Sequence, residues 1–370
     1  MFISRFVINS GKKMADFCAN DLQNRYFLHL FSKKAKKIFD FSDVTRDVEY
    51  EQNSIKWWNK VSGIKIDPMW HAFYSDKNGI KDVKYIPENI YYGIIEPYMN
   101  KLKYAEYCDD KCYYPEHFPE NAVEGGLKRP KLYIRNINGF FFDSNFKMYS
   151  KKEAAEIVSR INEGYVIKES ITGRGGRGLL FIDKEETKSQ SELLRIFSQF
   201  NKDFIVEGLI DQCEQLKRIN PSSINTLRIY TYLNQSGAHA LSACLRIGGE
   251  NSHTDNFNSG GIAVGIDKQG RLKNVAYDQY YHMYTEHPSG RTFAGSIVPG
   301  FDKAIKLVEN LHYRFGHYRL ISWDIAISPK DEPILIEFNL KLQGIDLLQI
   351  CNGPVFGEYT EEILSEIFKK

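Results

Sequence analysis

No stretch of this chain approaches the roughly 18 to 20 consecutive apolar residues that cross a bilayer. The apolar part of the opening MFISRFVINSGKK is too short for a secretory signal, so a cytoplasmic location is expected. Charge of one sign is lacking as well: 49 basic and 47 acidic side chains leave a formal +2. Without a global field, neither nucleic acid nor an anionic membrane is recruited, and partners must be read from local sites. Cysteine is sparse, and its six positions, Cys18, Cys108, Cys112, Cys213, Cys244 and Cys351, form no paired framework. That suits reduced thiols. Cys108 and Cys112, with no second Cys or His pair beside them, make a poor zinc site. Internal repeats and low-complexity linkers are missing too.

The chain's 370 residues, 42% of them hydrophobic, suffice for two or three domains with proper cores. Residues 1–105 are rich in Lys, Tyr, Trp and Asn and read as a mainly helical accessory region. Within them, 21–38 reads as a basic amphipathic helix with Leu28, Leu30, Phe31 and Ile38 among its apolar positions. The run of Lys33, Lys34, Lys36 and Lys37 reads as a solvated helix face, with an anionic or lipid-linked partner as the alternative.

From about residue 106 the pattern changes to short apolar runs divided by Gly, Pro and Asn. Strands are expected at 164–168, 178–182, 204–207, 227–233, 240–247, 261–266, 318–327 and 334–339. Helices are expected at 152–161 behind Ser150 as N-cap, and at 190–199, 300–314 and 358–368. Strands at hairpin spacing mixed with separated helices argue an α+β fold with largely antiparallel sheets.

Gly173-Arg174-Gly175-Gly176-Arg177-Gly178 satisfies G-x-G-x-x-G, a weak signal by itself. A dinucleotide fingerprint needs a helix opening from the loop, yet here Leu179-Leu180-Phe181-Ile182 reads as a second strand. No Gly-Lys-Ser/Thr ends the loop, so it is not a P-loop either. A glycine loop joining two strands is a flap whose N–H groups can close over phosphates, since residues without Cβ let the main chain approach an anion. Lys168 ends the preceding apolar run, where an unpartnered buried cation is costly. A phosphate is its expected partner.

Near the C-terminus, Asp324 lies within one apolar run, and Glu337 and Asn339 close another, two residues apart and so on one strand face. If these runs pair as a hairpin, Asp324 converges on the same face. Two carboxylates and an amide oxygen are hard ligands for Mg²⁺, completed by nucleotide phosphates.

A lysine at a strand end, a glycine flap, a strand ending in Glu207 and a terminal Asp followed by Glu-x-Asn together resemble the ATP-grasp superfamily. The resemblance implies an ATP-grasp fold of two α+β lobes, 106–206 with the glycine-rich flap and 207–370 with the metal and acceptor site, with ATP and Mg²⁺ bound. It maps Asp110-Lys111, followed by Pro119, onto an upstream segment supplying the first ATP-contacting lysine, with Lys168 as the second. Gly173, Gly175, Gly176 and Gly178 then cover the phosphates, Glu207 and Leu209 sit at the inter-lobe hinge by the adenine, and Glu214 is a candidate for the ribose. Asp324, Glu337 and Asn339 hold the magnesium ions.

The runs Asn220-Pro221-Ser222-Ser223-Ile224-Asn225-Thr226-Leu227-Arg228, Leu245-Arg246-Ile247-Gly248, Asp255-Asn256 with Gly260-Gly261, His287-Pro288, Trp323-Asp324 and Tyr85-Ile86-Pro87-Glu88 resemble the sugar-transfer-associated branch. Two departures, Glu169-Ser170 in place of a proline and Cys213 in place of a histidine, touch no phosphate or metal role. The resemblance implies a carboxylate-amine ligase acting through an acyl phosphate in surface polysaccharide or capsule biosynthesis, with small carboxylate and amine substrates. Arg228 and Arg246 are the expected catalytic cations. The polar segment 249–261 is expected to shape the acceptor site or coordinate phosphates, and His287 to be a loop histidine. The alternatives are a phosphotransferase acting on a sugar or alcohol, and a nucleotide-binding module without turnover.

Overall fold

The computed structural model describes residues 22, 24–33, 44–101, 104–171, 178–250, 252, 254–255 and 260–368. The chain divides into two compact units, Leu102–Gln343 and the combination of Met1–Lys101 with Gly344–Lys370. The C-terminal end thus departs from the expected boundary: it belongs with the N-terminal region and not with residues 207–343. Gln349 supplies a physical reason. Its side-chain amide accepts from Ile86 N (2.8 Å) and donates to Ile86 O (2.9 Å), while Asn78 Nδ2 donates to the carbonyls of Gln349 and Ile350.

This first unit is helical, as expected. Asp47 caps Val48–Ser62, and left-handed Gly63 and Gly79 end Val48–Ser62 and Met69–Asn78. Thr360–Phe368 packs on Val48–Ser62, and Ile345–Asn352 on Met69–Asn78. Trp58, Trp70, Tyr74 and Tyr85 are among this unit's largest buried side chains. Residues 24–33 are helical; Leu28 and Phe31 are half-buried, and Phe31 stacks on Tyr92 at 4.0 Å. Leu30, expected on the apolar face, is exposed, and so is Lys33. Lys34, Lys36, Lys37 and Ile38 lie outside the described residues. No described helix is long and apolar enough to cross a membrane.

The second unit holds two sheets. In the first are β1 (Leu132–Ile137), β2 (Phe140–Phe142), β3 (Met148–Tyr149), β4 (Tyr165–Glu169), β5 (Leu179–Ile182) and β6 (Phe204–Gly208), in the order β3-β2-β1-β6-β4-β5. In the second are β7 (Thr226–Asn234), β8 (Gly237–Ile247), β9 (Ile262–Ile266), β10 (Leu272–Tyr277), β11 (Met283–Tyr284), β12 (Leu320–Ile327) and β13 (Pro333–Asn339), in the order β11-β10-β9-β8-β7-β12-β13. All neighbouring strands within both sheets run antiparallel.

Helices Lys151–Ser159 and Gln190–Phe200 open with capping boxes, Ser150 with Glu153 and Ser189 with Glu192. Each box satisfies two backbone donors that the first turn leaves without intrahelical partners. Their apolar stripes cover one face of the first sheet through Ala154, Val158, Leu193 and Phe197. Phe301–His312 packs on the second sheet, where Leu227, Ile229, Leu245, Val264, Trp323, Ile325 and Phe338 form the main core. Strand alternation therefore turns the polar partners of these residues to the other face. That face carries the candidate site.

Candidate functional site

Arg228 on β7, Asp324 on β12 and Glu337 on β13 are register partners across three neighbouring strands. A bulge sets this row: Asp324 faces Glu337, but the next residue, Ile325, faces Leu335, so Ile336 is extra. Leu335 and Phe338 both stay in the core while Glu337 joins the polar face.

Arg228 grips Asp324 with two bonds, Nε to Oδ1 at 2.5 Å and Nη2 to Oδ2 at 2.9 Å. Arg246, near the end of β8, donates to Asp324 Oδ2 (3.3 Å) and to Asp255 Oδ1 (3.2 Å). The second Asp255 oxygen accepts from the Thr226 hydroxyl. The expected catalytic arginines thus lie together in the cleft, joined through the expected metal ligand Asp324. Among the described residues of the polar segment 249–261, Asp255 reaches Arg246.

The lysines come from β4 of the first sheet, which carries Lys168, and from the turn Lys111–Tyr113. Lys111 Nζ stands 3.3 Å from Glu337 Oε2. Burial pulls its pKa down, but Glu337 outweighs burial and the net direction is up. For Glu337, burial pushes the pKa up, yet Lys111, Lys168 and Arg228 override it and hold the carboxyl at about 2. Burial raises Asp324 against the pull of Arg228 and Arg246, and the neighbouring Glu337 charge adds to the rise.

Lys168 on β4 is ion-paired with Glu207 on β6 at 2.7 Å. Sequence reasoning gave its charge to a phosphate; the structure supplies a carboxylate from the adjoining strand. Lys168 is paired with Ile205 in register, which makes Glu207 its diagonal neighbour. Glu207 therefore neutralises Lys168 at the end of its strand. Leu209, just beyond, is 39% exposed, and its N–H donates to Gly164 O at 2.9 Å. Glu214 is exposed in the first turn of Glu214–Ile219, near Lys217, and is not drawn into this cluster.

The glycine loop joins β4 and β5, which pair antiparallel with Lys168 opposite Leu179. It is a strand-loop-strand hairpin, as expected. Gly178 adopts φ +66°, and the Glu169 side chain occupies the space where its Cβ would go. Gly173, Gly175 and Gly176 lie outside the described residues.

Asp324 and Glu337 are adjacent carboxylates, and Asn339 follows on the same face. Nδ2 of Asn339 is buried and has no hydrogen-bond partner among the described residues. Because amide oxygen and nitrogen can be exchanged by a flip, this position can equally present an oxygen, a hard donor. Among the described residues no three His, Cys, Asp or Glu side chains could hold a metal ion by themselves. An ion between Asp324 and Glu337 therefore needs oxygens from a ligand. The residues fit Mg²⁺ on those terms.

Gln212, which sequence reasoning missed, organises the chain just ahead of β7. It accepts from Asn225 N (3.1 Å) and Nδ2 (2.9 Å) and donates to Ser223 O (2.7 Å). Asn220 Nδ2 donates to Gly248 O (3.0 Å), which also faces His287 Nε2 (2.8 Å), while His287 Nδ1 meets Ser289 Oγ (2.8 Å). His287 thus serves the loop. The polar run 220–226 immediately before an apolar strand was the available signal, but its partner in Gln212 was not.

Two antiparallel sheets, with Lys168 and Glu207 on the first, Arg228, Arg246, Asp324 and Glu337 on the second, and Lys111 meeting Glu337 from a turn, define an α+β protein of the ATP-grasp fold with an N-terminal helical region. Residues 94–364 match the model of the sugar-transfer associated ATP-grasp family, and the chain belongs to that family. No curated protein matches it. Among solved structures, the biotin carboxylase domain of 2-oxoglutarate carboxylase from Hydrogenobacter thermophilus is similar at 14% identity and TM-score 0.42, covering 72% of this chain and 46% of that one. The L-amino acid ligase from Bacillus licheniformis is similar at 15% identity and TM-score 0.41, with coverages of 71% and 48%. D-cycloserine synthetase is similar at 11% identity and TM-score 0.40, covering 71% of each chain. The chain spans about half the length of the first two.

Proposed function

We propose that the protein is an ATP- and Mg²⁺-dependent carboxylate-amine ligase that forms ADP through an acyl phosphate. Its substrates are read as an amino acid and a sugar acid or amino sugar, in the synthesis of a surface polysaccharide such as a capsule. The observation that carries this reading is the set of paired charges lining the cleft: Lys168 against Glu207 within the first sheet, Arg228 and Arg246 against Asp324 within the second, and Lys111 against Glu337 across the cleft.

Attack of a carboxylate on a γ-phosphate brings two anions together, so such a site must supply cations before the reaction begins. Lys111 and Lys168 bind the phosphates, and Gly178 belongs to the flap that covers them. Arg228 and Arg246 neutralise the attacking carboxylate and the phosphoryl group in transfer. Asp324, Glu337 and Asn339 hold Mg²⁺, which when bound offsets the negative charge of the phosphates. Glu207 and Leu209 line the adenine end, with Glu214 as an outer contact to the ribose. The amine then displaces phosphate from the acyl carbon, leaving an amide, ADP and inorganic phosphate.

The test is ATP consumption with magnesium against a panel of amino acids and free or nucleotide-linked sugar acids. ADP, free phosphate and product mass are read together. A product lighter than its two substrates by one water, with ¹⁸O passing from a labelled carboxylate into phosphate, supports the ligase. A product that keeps the phosphoryl group refutes it in favour of phosphoryl transfer to a sugar or alcohol.

A further inference from the structure

Lys111 is carried by a short turn, Lys111–Tyr113, whose backbone bonds run from Tyr113 N to Asp110 O at 3.0 Å and from Tyr114 N to Lys111 O. So short a turn leaves a long side chain free to swing, and ties to other segments help set where Lys111 points. Two come from its near side. The Lys111 N–H donates to Ser170 O at 3.1 Å, at the foot of the glycine-rich hairpin, and the Asp110 carboxylate accepts from Cys112 N at 2.9 Å.

The third tie is Arg135, a residue of β1 whose side chain is fully buried. Its Nη1 donates to the carbonyl of Cys112 at 2.6 Å, on the residue that follows Lys111. Its fork closes on Glu116 at 3.0 and 3.1 Å, and Nη2 also donates to Ser144 O at 2.9 Å. The Phe146 ring lies 4.0 Å from the guanidinium carbon. Burying an arginine is costly unless its donors are satisfied. Here both terminal nitrogens are satisfied, by Cys112, Glu116 and Ser144, while Nε has no hydrogen-bond partner among the described residues. From its turn, Lys111 Nζ reaches 3.3 Å from Glu337 on the second sheet.

We propose that Arg135 is a positioning residue for nucleotide binding: by holding the Cys112 carbonyl and Glu116 together it sets the turn from which Lys111 reaches the phosphates. This rests on the assignment of Lys111 to the phosphates, and the test separates the two. Affinity of the full-length protein for a fluorescent ADP analogue with magnesium is measured in wild type, Lys111→Ala, Arg135→Lys and the double variant. Lysine keeps the charge at position 135 but cannot reproduce the planar fork. If Arg135 acts through Lys111, Arg135→Lys weakens binding by about tenfold in wild type and by less than about twofold once Lys111 is gone.

An equal loss in both backgrounds overturns the proposal, since a general structural role does not depend on Lys111. No loss in wild type overturns it as well. If Lys111→Ala binds like wild type, the assignment of Lys111 itself falls, and the proposal with it. Should Arg135→Lys fail to fold by circular dichroism, Glu116→Gln is carried through the same cycle. It leaves the bonds of Arg135 to Cys112 and Ser144 in place, and the same two outcomes decide.

Discussion

Lys168 and Glu337 stand on different sheets, yet each is expected to be indispensable to turnover. Lys168→Ala and Glu337→Ala should each lower ATP turnover at least about a hundredfold with an unchanged circular dichroism spectrum. Full activity in either variant refutes the site. A separate residue-scale effect comes from His71 and His312, buried rings whose pKa falls to about 4, chiefly through desolvation. His312 sits in a closed network, Nδ1 against the Thr231 hydroxyl at 2.8 Å and Nε2 against Tyr318 O at 2.9 Å. Between pH 4 and the ordinary histidine value the unfolded chain binds more protons than the folded one. Stability is therefore full above about pH 6.5 and falls by about 1.4 kcal/mol per pH unit for each ring on acidification towards pH 4. Urea melts at pH 7.5 and pH 5 check this, and an unchanged midpoint would contradict it. These site residues were legible in the sequence because a lysine or acid ending an apolar run is anomalous. Their partners were not legible: Asp324 lies 96 residues from Arg228 and 78 from Arg246.

Among the elements, strands β4 to β9, β12 and β13 were visible as apolar runs bounded by turn residues. β1 was hidden because it carries the buried polar pair Arg135 and Asn136, and β10 because Lys273 and Asn274 interrupt its apolar residues. β2, β3 and β11 span three residues or fewer, too few for any alternation to register. The capping boxes of Lys151–Ser159 and Gln190–Phe200 predict that Ser150→Ala and Ser189→Ala each cost about 1 kcal/mol, read from denaturant midpoints. The bulge at Ile336 predicts a larger effect. Deleting Ile336 restores simple pairing, and a one-residue slip moves side chains to the opposite face, so Glu337 leaves Asp324. Magnesium-dependent ATP turnover should vanish in that variant; retained turnover would show that the bulge does not set the site.

At the scale of the whole molecule, the cleft is nearly neutral, with Lys111, Lys168, Arg228 and Arg246 matched by Glu207, Asp255, Asp324 and Glu337. A triphosphate carries about four negative charges into such a site, so its binding should depend on a divalent cation. Titration of a fluorescent ATP analogue with and without EDTA should show affinity falling at least about tenfold when magnesium is removed. Equal affinity in both conditions would remove Asp324 and Glu337 as metal ligands. The sequence by itself determined the α+β class, the hairpin context of the glycine loop and the identity of most charged groups in the cleft. These follow from local periodicity and from the cost of burying charge, which act over a few residues. Only the tertiary structure decided that Glu207 pairs with Lys168, that Asp324 is shared by two arginines and that Gln349 ties the C-terminal segment to Ile86. Each depends on strand register or on contacts between segments far apart in the chain, which no local pattern encodes.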